Sequence, residues 1–225
     1  MTFHIISLFP QSFDSYLGES ILKRAIEDKK IKVKFYNPRE FLPKKMLKTY
    51  AGRRVDGKPY GGGPGMVIEA LPVIRAIEKV LKTKHSVFGL KKTKIVWLSP
   101  SGKQFDTEYA GKIAEKYEHV IIICGRYEGI DARVKKIFKV EEISVGPYVL
   151  TGGELPAMIM MDCISRQVEG VLGNFNSREE SRIASSDVYT RPEVLEYKGK
   201  NYKVPKILLS GHRAKIEEWK KSQQS

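Results

Sequence analysis

Short apolar runs alternate with amphipathic stretches through the first 170 or so residues, and this alternation restricts the folds open to the chain more than any other feature. Residues 3–9 have a strand's composition, and residues 13–26 place Phe13, Leu17, Ile21, Leu22, Ala25 and Ile26 on one helical face. Residues 31–36 alternate apolar and charged side chains like a half-exposed strand, whereas residues 37–65 carry Pro, Gly and Lys without sustained periodicity, as a long loop does. The spacing then predicts a helix over 71–82, a strand over 95–98, a helix over 107–117, strands over 120–124 and 140–145, and a helix over 154–167. Strand and helix units of this length build an α/β fold, a parallel sheet with helices on both faces.

The longest apolar runs, 119–124 and 157–161, fall far short of the roughly 20 residues a membrane span needs, and the N-terminus lacks a signal-peptide pattern. A soluble, cytoplasmic chain without a membrane partner is expected. Two cysteines, Cys124 and Cys163, offer neither a disulfide framework nor a four-ligand metal site. His4, His85, His119 and His212 are scattered without metal-ligand spacing, so no metal site is read. Residues 173–190 turn polar, as a linker or active-site loop does, and residues 191–225 form a small basic appendage with a helix over 212–221.

The formal net charge of +14 is unevenly placed: residues 31–60 carry +7 and residues 191–225 carry +5, around a nearly neutral middle. Two basic blocks flanking a neutral centre suit a protein that holds phosphates at its periphery.

Three of the strands are each followed by a small-residue loop: Ser99-Pro100-Ser101-Gly102, then Gly125-Arg126-Tyr127-Glu128-Gly129, then Gly146-Pro147-Tyr148-Val149-Leu150-Thr151-Gly152-Gly153. Ligands of open α/β sheets bind outside the carboxyl ends of the strands, so one pocket built from all three loops is expected, with apolar and aromatic lining suited to an adenosine-like ligand. No glycine loop ends in Gly-Lys-Ser/Thr and no G-x-G-x-x-G follows the first strand, which weighs against ATPase and dinucleotide readings. A further cluster, Tyr60-Gly61-Gly62-Gly63-Pro64-Gly65-Met66, has the makings of a shaped loop at the edge of the basic block.

Taken with Ile5-Ile6-Ser7-Leu8-Phe9-Pro10, Gly170-Val171-Leu172-Gly173 and Tyr189-Thr190-Arg191-Pro192-Glu193, these motifs closely resemble one family along nearly the whole chain: the bacterial tRNA (guanine-N1)-methyltransferases, knotted members of the SPOUT methyltransferases. The resemblance implies a deep trefoil knot around the three loops and an antiparallel homodimer with active sites at the subunit interface. It implies a knotted domain over 1–172, a linker over 173–190 with a catalytic carboxylate, and a small, mostly helical tRNA-binding domain over 191–225. S-adenosylmethionine, by the same carry-over, contacts Leu98, Ser99, Pro100, Gly125, Tyr127, Glu128, Val145, Gly146, Pro147, Tyr148, Val149 and Leu150, with Gly152, Gly153 and Pro156 closing the pocket. The substrate implied is the guanosine immediately 3′ of the anticodon (position 37), gripped by its anticodon arm, with no DNA partner.

Guanine N1 carries a proton, so its methylation calls for a base at N1 and a cation at O6. The family's arginine and aspartate map to Arg166 and, across a one-residue gap, to Glu180, a departure that keeps the carboxylate and adds a methylene; Asp187 is the alternative base. Pro147 stands where the family often has aspartate, and Trp97 where it often has tyrosine. The family's magnesium requirement has no readable protein site. Two competing readings are a SPOUT enzyme acting on a ribose 2′-hydroxyl and a non-catalytic RNA-binding protein; the Gly61 to Met66 loop and the linker carboxylates disfavour the first, and an intact three-loop pocket the second.

Overall fold

The apolar runs pair into one five-stranded sheet in a computed structural model, which describes residues 1–43, 54–82, 92–173 and 187–223. In chain order the first unit, Met1–Gly173, contains β1 (Thr2–Ile6), α1 (Asp14–Leu17), α2 (Ser20–Glu27), β2 (Lys32–Tyr36), the two-residue strands β3 (Asp56–Gly57) and β4 (Val67–Ile68), and α3 (Ala70–Leu81). It continues with β5 (Thr93–Gln104), α4 (Thr107–Lys116), β6 (His119–Ile123), α5 (Arg133–Ile137), β7 (Glu141–Ser144) and α6 (Glu154–Arg166). The sheet order is β2-β1-β6-β5-β7, and every pairing is parallel.

Side-chain alternation along the strands produces the two-sided core. Phe3, Ile5, Val96, Leu98, Val120, Ile122 and Ile143 point to one face, where Leu22 and Ala25 of α2, Tyr109 and Ile113 of α4, and Met160 and Ile164 of α6 cover them. Ile6, Ile95, Trp97, Ile121 and Ile123 point to the other, under Val73, Ala76, Ile77 and Val80 of α3 and Val134 of α5. The central strands β1, β6 and β5 are largely apolar on both faces for this reason, as buried parallel strands tend to be, with His4 of β1 a buried polar residue among them.

Two expectations are corrected. The helix predicted over 13–26 is broken: Gly18 ends α1 by donating its N–H to Asp14 O (2.9 Å), and Ser20 at φ 51° redirects the chain into α2. The strand predicted over 95–98 extends to Gln104, so Ser99 to Gly102 is an irregularity inside β5 rather than a loop after it. Leu98 and Lys103 both sit opposite Ile143 on β7, and a Cβ on Gly102 would fall 2.5 Å from Ile143 N. Only glycine permits that approach, and the four residues bulge outward beside the carboxyl end of β7.

The second unit, Asn174–Ser225, contains an antiparallel hairpin, β8 (Val194–Tyr197) and β9 (Lys200–Lys203), then α7 (Lys206–Leu209) and α8 (Arg213–Ser222). Lys198 and Gly199 at the hairpin turn both take positive φ (49° and 72°), the requirement of a type I′ turn. The sequence reading found α8 and overlooked this hairpin. No helix among the described residues is long and apolar enough to cross a membrane.

Candidate active site

The adjacency β6-β5-β7 brings the three small-residue segments to one edge of the sheet. After β6 the chain turns tightly, with Tyr127 at φ 59° and Gly129 at φ 120°, and Gly129 N–H donates to Arg126 O (3.0 Å). This turn is tied to the chain following the Gly61 to Gly65 cluster: Glu128 N–H donates to Met66 O (3.0 Å), Ile68 N–H to Gly129 O (3.0 Å) and Asp131 N–H to Ile68 O (2.9 Å). Gly65 sits at φ 89°, where a Cβ would lie 2.5 Å from Glu128 Oε1. After β7, Ser144 Oγ donates to Gly146 O (2.9 Å), and the Tyr148 hydroxyl donates to Val145 O (3.2 Å), folding its ring over Gly146.

Between these segments lies a cavity of about 450 Å³, within the range of about 300–1,000 Å³ common to small-molecule sites. Of the residues expected to hold the cofactor, Leu98, Ser99, Pro100, Gly125, Tyr127, Glu128, Val145, Gly146, Tyr148, Val149, Leu150, Gly152, Gly153 and Pro156 line it; Pro147 does not. The donor set fits S-adenosylmethionine: close backbone, hydroxyls at Ser99 and Ser101, a carboxylate at Glu128 for a cationic group, and apolar walls. Tyr127, Tyr148 and Val149 are exposed at the rim.

Sequence reasoning missed several lining residues. Lys135 and Glu142 form an ion pair at 2.8 Å, with the lysine ammonium 5.3 Å from the centre of the Trp97 ring. Lys135 rides on the five-residue α5, too short to leave a periodic signal. Arg126, inside a quoted motif but given no role, also lines the cavity. Its Nε lies 2.8 Å from Glu154 Oε2, and its guanidinium carbon lies 4.7 Å from the centre of the Phe9 ring. Glu154, the first residue of α6, is 3% exposed and accepts a hydrogen bond from Ser7 Oγ (2.6 Å). Burial, with the Glu154 charge second, pushes the Cys124 thiol well up, which makes it a neutral core group.

Arg166 lies elsewhere. It ends α6, ten residues beyond Pro156 and so about 15 Å along the helix, and lines a second groove of about 450 Å³ with Tyr16, Leu155, Met158, Ile159 and Asp162. The Tyr16 hydroxyl donates to Asp162, and that hydrogen bond pushes the phenol up to about 12. Glu180 falls outside the described residues; Asp187 is exposed in the second unit. Among the described residues no group of three or more His, Cys, Asp or Glu side chains forms a candidate metal site.

With the cavity's geometry in hand, the chain's relatives are informative. The sequence model of the family described as "tRNA (Guanine-1)-methyltransferase TrmD" matches residues 1–225. A tRNA (guanine-N(1)-)-methyltransferase of Clostridioides difficile is 41% identical over 99% of this chain and 92% of its own length. Proteins of the same name from Pseudoalteromonas atlantica and Thermomicrobium roseum are each 42% identical, over 98% of this chain and 79% and 78% of their own lengths. A full-length family match and relatives of this identity and coverage, together with the parallel sheet and its three-segment cavity, place the chain in the tRNA (guanine-1)-methyltransferase family.

Proposed function

We propose that this chain transfers the methyl group of S-adenosylmethionine to N1 of the guanosine immediately 3′ of the anticodon, position 37, in tRNA. The observation that carries the reading is the single cavity built by the bulge of β5 and the carboxyl ends of β6 and β7, lined by fourteen of the residues expected to hold the donor. S-adenosylmethionine supplies the electrophilic methyl. The protein's own task is then to deprotonate N1, to stabilise the charge moving onto O6 and to keep water out.

Glu180 is the proposed base and Asp187 its alternative; Arg166 is the proposed partner of O6. A general base of this kind contributes about 10²- to 10⁴-fold, and a cation at the developing oxyanion contributes through electrostatic preorganisation. Arg166 stands on the groove along α6 and α1, away from the donor cavity of its own chain. Leu155 and Ile159 on that groove are exposed, at 51% and 38%. Both facts support a homodimer in which a second copy covers the groove and each active site draws on two chains. The family membership supports a trefoil knot around the three segments and a cytoplasmic location. The charge of residues 31–60 and 191–225 supports the anticodon arm as the bound partner. Magnesium has no candidate ligand set among the described residues, and none of these roles runs through a metal.

The test is methyl incorporation into two transcripts that differ only at position 37. Incorporation into the G37 transcript and none into A37 is expected; equal incorporation into both would overturn the assignment.

A further inference from the structure

Glu154 is a buried charged residue next to the cavity-lining Gly153 and paired with the cavity-lining Arg126, and it has no assigned role. Its carboxylate is held from two sides. Ser7 Oγ, just past β1, donates to Oε1 at 2.6 Å and itself accepts from Phe9 N–H at 2.9 Å. On the other side Arg126 Nε stands 2.8 Å from Oε2, an ion-pair contact without hydrogen-bond alignment, with side-chain exposures of 25% and 4% for the arginine and the glutamate. Arg126 in turn reaches the third segment: its Nη1 donates to Thr151 O (3.3 Å), and its backbone bridges Gly152. Gly152 has no room for a side chain, because a Cβ would fall 2.3 Å from Arg126 Nε.

A nearly buried carboxylate costs several kcal/mol of lost hydration unless it is paired and hydrogen-bonded. The ion pair to Arg126 and the hydrogen bond from Ser7 together connect three separate pieces of chain: the end of β1, the turn after β6 and the first turn of α6. We propose that Glu154 is a positioning residue for the donor pocket: fixed by Ser7, it holds the Arg126 guanidinium against Thr151 and Gly152 and so sets the spacing between the second and third loop segments. Arg126 lines the cavity, while Glu154 acts through it.

The functional half of this inference rests on reading the cavity as the donor site, and the test separates the two. Glu154→Gln keeps the side chain's size and its link to Ser7 and removes the charge facing Arg126. In the ligand-free protein, the Gly153 amide, which donates to Gly125 O at 2.8 Å, should exchange with solvent at least about tenfold faster than in the parent protein, while the Ile122 amide in the sheet is unchanged. The dissociation constant for S-adenosylmethionine should rise by about that factor, with the KM for tRNA nearly constant. Adding Glu154→Gln to an Arg126→Met protein should weaken donor binding no further, because Glu154 acts through Arg126. A lowered melting temperature with Gly153 exchange and donor affinity unchanged would overturn the proposal, and so would additive losses in the double variant. If the unsubstituted protein fails to bind S-adenosylmethionine, the donor-site reading falls, and the Gly153 exchange result still decides whether Glu154 sets the loop spacing.

Discussion

Gly153 N–H donates to Gly125 O across 2.8 Å, and a Cβ on Gly153 would lie 2.6 Å from the Cα of Cys124 and 2.9 Å from the amide nitrogen of Gly125. The second and third loop segments thus meet main chain to main chain, and backbone atoms cannot rotate aside to admit a methyl group. Gly153→Ala is expected to cost about 1–3 kcal/mol, the usual penalty of overpacking, and to abolish the rise in melting temperature on adding S-adenosylmethionine. Thermal unfolding with and without the donor checks both.

Gly111 offers the opposite case. It lies inside α4 with nothing within 4 Å of a would-be Cβ, so Gly111→Ala removes the helix penalty of glycine without a clash. A gain of about 0.8–1 kcal/mol is expected, or a melting temperature higher by roughly 2–4 °C for a unit of this size, with methylation unchanged.

Acid stability should report the histidine pair. His4 Nε2 lies 3.1 Å from His119 Nδ1, and His4 Nδ1 lies 3.1 Å from the Tyr36 hydroxyl. Burial first, then the neighbouring His119 and Lys34, lower His4 from 6.5 to about 4. A folded-state value below the unfolded one means the unfolded chain binds the proton first, so the contribution is complete above about pH 6.5 and is lost as pH falls toward 4. The loss is at most about 3 kcal/mol. Urea unfolding between these pH values should show that decline, and His4→Gln should flatten it.

The same pair shows what a sequence withholds. The strands were readable because residues such as Val120 to Ile123 are apolar on both faces, and the cavity because small-residue segments follow β6 and β7 and interrupt β5. His4 and His119 stand 115 positions apart and meet only because β1 pairs with β6 in register, Thr2 opposite His119. Arg126 and Glu154 likewise have no local spacing to betray them. The break at Gly18 and the bulge at Gly102 are set by single glycines that periodicity averages over, and the β8–β9 hairpin turns on Lys-Gly rather than the Asn-Gly that marks such turns most strongly.

The assignment of the base gives a kinetic prediction. Glu180→Gln should lower single-turnover methylation by roughly 10²- to 10⁴-fold while S-adenosylmethionine binding stays nearly intact, and Glu180→Asp should retain most of the rate. Asp187→Asn serves as the comparison: a parental rate in Glu180→Gln with collapse in Asp187→Asn would move the base to Asp187.

Shared active sites predict complementation. Arg166→Ala and Glu180→Ala chains, each inactive alone, should regain partial activity when mixed, because one site of the mixed dimer keeps both groups if they come from different chains. Mixed dimers that form and stay inactive would contradict a site that takes Arg166 and Glu180 from opposite chains.

The central claim is the atom that receives the methyl group, and nucleoside analysis of tRNA after incubation with methyl-labelled S-adenosylmethionine tests it most directly. The label should appear as N1-methylguanosine, mapped to the nucleotide immediately 3′ of the anticodon. Label recovered as a 2′-O-methylated nucleoside, or bound tRNA with no label at all, would contradict it.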